Sequence, residues 1–452
     1  MTKSMTTGNP AKLIFFFALP LIVGNIFQQF YSMADTVIVG RTIGVNALAA
    51  VGCTGSLTFF ILGFVNGFTS GLSIITSQRF GAGDSEGVKR SFAASIVLSA
   101  VLSVCMTILA VLVARPALEL LQTPEEIIDD ATRYLTVIFC GISATVLYNI
   151  TSNMLRALGD SRMPLYFLVI ACCVNIVLDL IFILVFGLGV LGAGAATILA
   201  QLVSGLCCSL YIRKKQPAFW VERRHFHLTR QEVKLHLNTA FPMAFQMSII
   251  AIGSLILQFA LNGLGATSVA AYTAAQKIDS IATMPLNSFG AAMATYAAQN
   301  YGAHKIDRIR KGVFQCILMS VSFSLVAGLV NVCFGSNLAA IFVGTAETEV
   351  LELAKTFLSI SGTLYWVLAL LFIYRFTLQG LGKGLVPTVA GIMELIMRAF
   401  AALILVEYAG FTGACFANPL AWIGACIPLC AAYYMTMHRM QHPRKRLAMS
   451  LT

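Results

Sequence analysis

Residues 77–82 read Ser77-Gln78-Arg79-Phe80-Gly81-Ala82, and residues 298–303 read Ala298-Gln299-Asn300-Tyr301-Gly302-Ala303, 221 positions further on. Nearly the same offset recurs along the chain. Pro20 matches Pro242 at 222 positions, and Gly192-Ala193 matches Gly413-Ala414 at 221. Leu155-Arg156-Ala157-Leu158-Gly159 with Pro164 matches Leu378-Gln379-Gly380-Leu381-Gly382 with Pro387, at 223. Four matches at one spacing in 452 residues mark an internal duplication.

Composition says what is duplicated. The chain is 58% hydrophobic and only 11% charged, with a mean hydropathy of +0.83. Soluble globular chains carry about 25% charged residues, so a soluble enzyme, a nucleic-acid module and a disordered protein are all excluded. A membrane-spanning helix needs ~20 apolar residues. Twelve apolar segments can be traced, at 13–39, 50–78, 91–114, 132–156, 164–187, 189–212, 239–262, 268–299, 312–342, 353–380, 387–407 and 412–437. The expected fold is therefore an all-α membrane protein with 12 transmembrane helices in two pseudo-symmetric six-helix lobes. Six spans per half give both halves the same orientation, related by an axis along the membrane normal, as in parallel-repeat transporters.

The basic residues set the orientation. Of the 30 lysines and arginines, 23 fall in the tails and in the loops on the terminal side, against four on the other side (Arg41, Arg115, Arg133, Lys355). The positive-inside rule then places both termini in the cytoplasm. The net charge of +11 is thereby accounted for by topology, without a nucleic-acid partner. The expected organisation is an N-lobe at 1–212, a basic cytoplasmic linker at 213–236 and a C-lobe at 237–452. His225, His227 and His236 in or near that linker are expected to be solvated. The cysteines lie mostly in apolar runs without a CxxC pair, which argues against disulfide or zinc frameworks. The first apolar run lacks a cleavage site, so it is expected to be retained. Thr123-Pro124 and Thr345-Ala346 are expected to start short helices, with threonine as the cap and, after Thr123, proline at the first helical position.

Ionisable groups inside spans are costly and mark functional sites unless a partner explains them. The first six spans hold two, Asp35 and Asp179, and no basic residue. At ~1.5 Å per residue, Asp35 lies ~9 Å below the outer end of span 1, and Asp179 and Thr197 each lie ~12 Å below that face. Asn175 is one turn from Asp179 on the same helical face. Asp35, Asn175, Asp179 and Thr197 thus form a candidate cation site, able to cradle a proton or a small hard cation such as Na+ through oxygen ligands. Gln28 and Tyr31 share the face of Asp35, and Asn149 and Asn153 add a polar stripe on span 4. These four are candidates for a substrate cavity or for interhelical hydrogen bonds. Pro20 removes a backbone hydrogen bond and gives span 1 a hinge.

In the second half, Glu394 and Arg398 are spaced for a same-face ion pair. Lys277, Asp279 and Arg375 have no local partner, so the five residues make a possible C-lobe polar site. Walker A, nucleophile-elbow and HExxH motifs are absent, so no enzymatic activity and no cofactor beyond a coupling ion are expected.

The stretch Gln28-Gln29-Phe30-Tyr31-Ser32-Met33-Ala34-Asp35-Thr36, with Ser77 to Gly83, Leu155 to Pro164 and the repeat itself, resembles the multidrug and toxic compound extrusion (MATE) family, in its bacterial multidrug-pump group. The set Asp35, Asn175, Asp179 and Thr197 is similar to the N-lobe cation site of prokaryotic members. The resemblance implies two six-helix lobes in a V around a central cavity, in a multi-pass protein of the bacterial inner membrane. It also implies a monomer that exports organic, mostly cationic compounds in exchange for H+ or Na+. One branch of the family carries an acidic residue on span 7, but none lies between Ala240 and Asn262 here. The alternative function is a flippase for lipid-linked saccharide, a reading that calls for a strongly cationic cavity.

Overall fold

The computed structural model describes residues 4–344 and 347–441, and its regular elements there are all helical. The first half contains α1 (Pro10–Thr42), α2 (Val45–Cys53), α3 (Gly55–Gly81), α4 (Ser85–Leu120), α5 (Glu125–Cys140), α6 (Ile142–Ala157), α7 (Arg162–Leu180) and α8 (Gly189–Lys215). The second contains α9 (Arg230–Asn262), α10 (Ala266–Gly302), α11 (Ile306–Val343), α12 (Thr348–Thr363), α13 (Tyr365–Gly380), α14 (Leu385–Phe400), α15 (Val406–Cys415) and α16 (Ala417–Gln441). Helices satisfy every backbone polar group internally, which hydrocarbon demands.

Among the described residues nine helical stretches are long and apolar enough to cross a bilayer. Two bent pairs raise this to eleven: α5 with α6, bent by 44°, and α12 with α13, bent by 51°. The remaining helix, α10, is 37 residues and so ~55 Å long, ample for a bilayer core of ~30 Å. Its polar residues, among them Gln276, Lys277 and Asp279, lower its apolarity. Large apolar side chains such as Leu112 and Ile341 are more than two-thirds exposed, as a lipid-facing surface requires.

The duplication is written into the backbone. Left-handed residues recur at Gly44 and Gly265, Gly83 and His304, Gln122 and Gly344, Gly159 and Gly382, and Gly189 and Gly410. Each pair is 221 to 223 positions apart. A π-helical turn follows α7 at Ile181–Val185 and another follows α14 at Ala401–Leu405. Gly410, with φ 56° and ψ −132°, makes the turn within α15 in a conformation that essentially only glycine adopts.

Two capping expectations need separate comment. Pro124 is extended and precedes α5, so the helix begins at Glu125 and Thr123 is not its cap. Thr345-Ala346, Lys3 and the basic tail residues Arg444, Lys445 and Arg446 lie outside the described residues.

The chain divides into two compact units that depart from chain order at two points. One contains Leu19–Ser248, and the other contains Met5–Ala18 with Ile249 onward. Helix α1 therefore changes unit beside Pro20, and α9 changes unit six residues after Pro242.

In the first unit the start of α9 lies on α3 through small residues. A Cβ on Gly71 would stand 2.6 Å from the Ala240 Cα, and one on Gly67 would meet the Met243 carbonyl. Such small-residue seams let helix backbones approach in a membrane. Phe68 and Phe241 add an edge-to-face ring contact at 5.3 Å. In the second unit, the start of the chain is pinned by polar contacts. Met5 N–H donates to Gln299 Oε1 at 2.8 Å, Lys305 Nζ to the Thr6 carbonyl at 2.9 Å, and Arg308 to the Gly8 carbonyl at 2.9 Å.

Candidate functional site

In the first unit α7 carries Asn175 and Asp179 into the interior, where both are fully buried. Asp179 is the next-to-last residue of the regular helix before the π-turn. Such turns recur at functional positions because the extra residue redirects side chains. Asp35 reaches the same place from α1, and its carboxyl adjoins that of Asp179. Thr197 on α8 completes the group: Tyr31 Oη donates to Thr197 Oγ1 at 3.2 Å, and Thr197 donates onward to the Ala193 carbonyl at 3.1 Å.

Asp35 Oδ1, both carboxylate oxygens of Asp179 and both polar atoms of Asn175 are buried without a hydrogen-bond partner. Asp35 and Asp179 can hydrogen-bond to each other only when a proton sits between them, because a bare carboxylate is acceptor-only. Without a proton or cation, two adjoining carboxylates repel in a low-dielectric interior. No ion pair among the described residues includes either of them. Orphaned buried polar atoms cost roughly 1–3 kcal/mol each, and five of them gather in this cluster.

Two further residues belong here that the sequence did not single out. Tyr134 on α5 is buried within electrostatic reach of Asp35, Asp179 and Tyr31. Gln201, one turn beyond Thr197, lines a small cavity together with Gln28, Tyr31 and Cys172. Its Oε1 is buried without a partner. Asn153 lies apart from that cavity. It lines a second small one with Thr69, Ser73, Thr76 and Ser95, and its amide donates weakly to Ser70 Oγ at 3.5 Å. Asn149 is half-buried on the same helix and lines neither cavity.

The second unit has its polar cluster at the equivalent place, one turn before its π-turn. Arg375, expected to lack a local partner, is ion-paired with Glu394 from α14. Arg398 stands 3.7 Å from the other oxygen of Glu394 and donates to Asn418 Oδ1 at 3.2 Å. Asn418 is the repeat counterpart of Thr197, 221 positions on. Asp279 accepts from Tyr365 Oη at 2.6 Å, and Tyr365 accepts from Asn331 Nδ2 at 2.9 Å. Lys277 is exposed and sits 5.8 Å above the Phe342 ring. The buried charges of this cluster are thus largely matched by partners, whereas Asp35 and Asp179 have no cationic partner among the described residues.

The linker histidines correct an expectation. His225 is buried rather than solvated because the chain after α8 folds back onto α4 in two short 3₁₀ turns, and His236 is buried on α9 where it meets Ser91 of α4. His225 meets Glu86 at 3.1 Å.

Six membrane helices repeated in parallel form an architecture of secondary transporters. The chain belongs to the MatE family: the family model matches it twice, over residues 20–181 and again over 242–404, once in each half. It is 28% identical over 386 residues to the probable multidrug resistance protein YoeA of Bacillus subtilis, covering 84% of this chain and 83% of that one. It is 33% identical over 305 residues to YpnP of the same organism, likewise named a probable multidrug resistance protein, covering 67% and 68%. A crystal structure of MATE in complex with MaL6 superimposes with a TM-score of 0.90 at 24% identity, covering 98% of this chain and all of that one. The outward-facing conformation of a multidrug resistance MATE family transporter gives 0.89 at 24% identity, covering 96% and 98%.

Proposed function

We propose that this transporter is an antiporter of the bacterial cytoplasmic membrane, with both termini cytoplasmic, acting as a monomer. It exports organic, mostly cationic and amphipathic compounds in exchange for H+ or Na+. The printed names of YoeA and YpnP support the multidrug substrate class. One observation carries the coupling: the adjoining Asp35 and Asp179 carboxyls, buried with Asn175 and without a fixed cation. A proton or sodium ion loaded there cancels the negative charge that attracts a cationic substrate. By linkage, bound substrate lowers cation affinity by the same factor. Tyr31 joins α1 to α8 and also lines the cavity with Gln28, so cation occupancy is reported to the cavity wall. Pro20 leaves the Phe16 carbonyl without its helical donor at the point where α1 changes unit, which suits a hinge.

A saccharide-lipid flippase would need free cationic groups for pyrophosphate. The buried arginines of the second unit are instead engaged by Glu394, Asn418 and the Ile250 carbonyl. The antiport reading is tested with Asp179→Asn, which keeps shape and hydrogen bonding but cannot titrate. Efflux of a cationic dye from cells should be abolished with expression unchanged. Wild-type efflux by this variant would refute N-lobe coupling.

A further inference from the structure

The cavity lined by Thr69, Ser73, Thr76, Ser95 and Asn153 in the first unit is joined to a histidine by an unbroken chain of hydroxyls. Thr76 Oγ1 lies 2.9 Å from Ser91 Oγ, and Ser91 Oγ lies 2.8 Å from His236 Nε2. His236 Nδ1 lies 2.9 Å from the backbone carbonyl of Glu232 and 3.8 Å from that residue's carboxylate. Thr76, Ser91 and His236 are all at most 2% exposed.

The direction of these bonds follows from the acceptors. A carbonyl can only accept, so the ring proton sits on Nδ1 and Nε2 carries a lone pair. Ser91 must then donate to Nε2, and Thr76 donates to Ser91. On the cavity wall Thr69, Ser73 and Ser95 donate to the carbonyls of Val65, Ser70 and Ser91, leaving oxygen lone pairs toward the cavity. Phe92, Ile150 and Met154 also line this small pocket, and its hydroxyls offer a water molecule the polar partners it needs. Ser70 and Ser73 are only half-buried, so water can reach it.

We propose that this chain is a proton exit route, carrying a proton from the interior of the first unit to His236 and out at the face that bears the termini. The inference rests on the antiport reading with H+ as the coupling ion. A hydrated proton in the cavity protonates Thr76 Oγ1, whose own proton passes to Ser91 Oγ. The Ser91 proton passes to His236 Nε2, and the ring releases its Nδ1 proton to the Glu232 carboxylate and then to solvent. Each oxygen gains and loses one proton, so the net change is one proton moved. Return of the ring proton to Nδ1 and rotation of the two hydroxyls reset the route.

Charges of both signs lie around His236. Glu232 on its own helix accepts the proton, and Arg79 of α3 holds Glu232 through two contacts, at 2.5 and 2.8 Å. Arg90 of α4 also acts on Glu232. The Glu232 side chain is still partly exposed, at 17%, so a proton that reaches it can pass on to water.

The test uses purified protein in vesicles with a pH-sensitive dye, following proton movement driven by a cationic substrate. Thr76→Val is isosteric and breaks the chain, Thr76→Ser keeps the hydroxyl, and His236→Gln can bond to Ser91 but cannot relay. Thr76→Val and His236→Gln should slow proton movement at least about tenfold, with substrate affinity and thermal stability unchanged, while Thr76→Ser stays near wild type. If His236→Gln does not fold, the Thr76 pair decides alone. Wild-type proton movement in Thr76→Val overturns the route but leaves the antiport reading intact. A wild-type protein that moves no protons with substrate, at any sodium concentration, overturns the route and H+ coupling together.

Discussion

Arg375 on α13 is ion-paired with Glu394 on α14, and Arg398, one turn along from Glu394, stands 3.7 Å from the carboxylate's other oxygen. All three side chains are at least nine-tenths buried. One carboxylate thus serves two guanidinium groups in the interior of the second unit.

Removing that carboxylate strands two buried cations. Glu394→Ala should therefore destabilise the protein by about 3–5 kcal/mol. The combined change of Arg375 and Glu394 to methionine should cost less, because it leaves one buried cation, Arg398, without the carboxylate rather than two. Thermal unfolding in detergent compares the two. Equal and additive losses would mean that Arg375 and Glu394 act independently.

The seam between α3 and the start of α9 tolerates no added methyl group. Gly71→Ala places a Cβ 2.6 Å from the Ala240 Cα, so one backbone must shift. A destabilisation of about 1–3 kcal/mol is expected from the clash, whereas alanine at Gly83, where a Cβ meets nothing, should cost only the roughly 1 kcal/mol of its positive φ. Equal stability of Gly71→Ala and wild type would show that the seam is looser than its geometry.

Tyr31 and Thr197 share one interhelical bond. Tyr31→Phe and Thr197→Val should each cost about 0.6 kcal/mol, near the mean for polar contacts between membrane helices. The double variant should cost little more than either alone. Strict additivity in a thermal-stability cycle would mean the bond contributes nothing.

Much of this architecture is legible in the residue order, because a bilayer punishes polar atoms and leaves long apolar runs between charged loops. The duplication shows in Pro20 and Pro242 and in the turn glycines. Asp35 and Asp179 stand out because each is a lone charge in an apolar span, and spacing alone brings Asn175 alongside. Tyr134 does not stand out: α5 is amphipathic, and a tyrosine there reads as an interface residue. Arg375 and Glu394 are 19 positions apart on different helices, so no periodicity links them. Likewise the burial of His236 depends on Ser91, 145 positions away, and a basic stretch reads as solvated until its partner helix is known.

The central claim is that cation and substrate compete for the charge of Asp35 and Asp179, and binding of a fluorescent organic cation to purified protein tests it most directly. Protonation or sodium binding removes the negative charge, so affinity should be highest at high pH and low sodium. It should fall as pH is lowered or as sodium is raised, whichever ion couples, and Asp179→Asn should lose that response. Affinity that stays flat in both series, or that rises as either cation increases, would contradict the account.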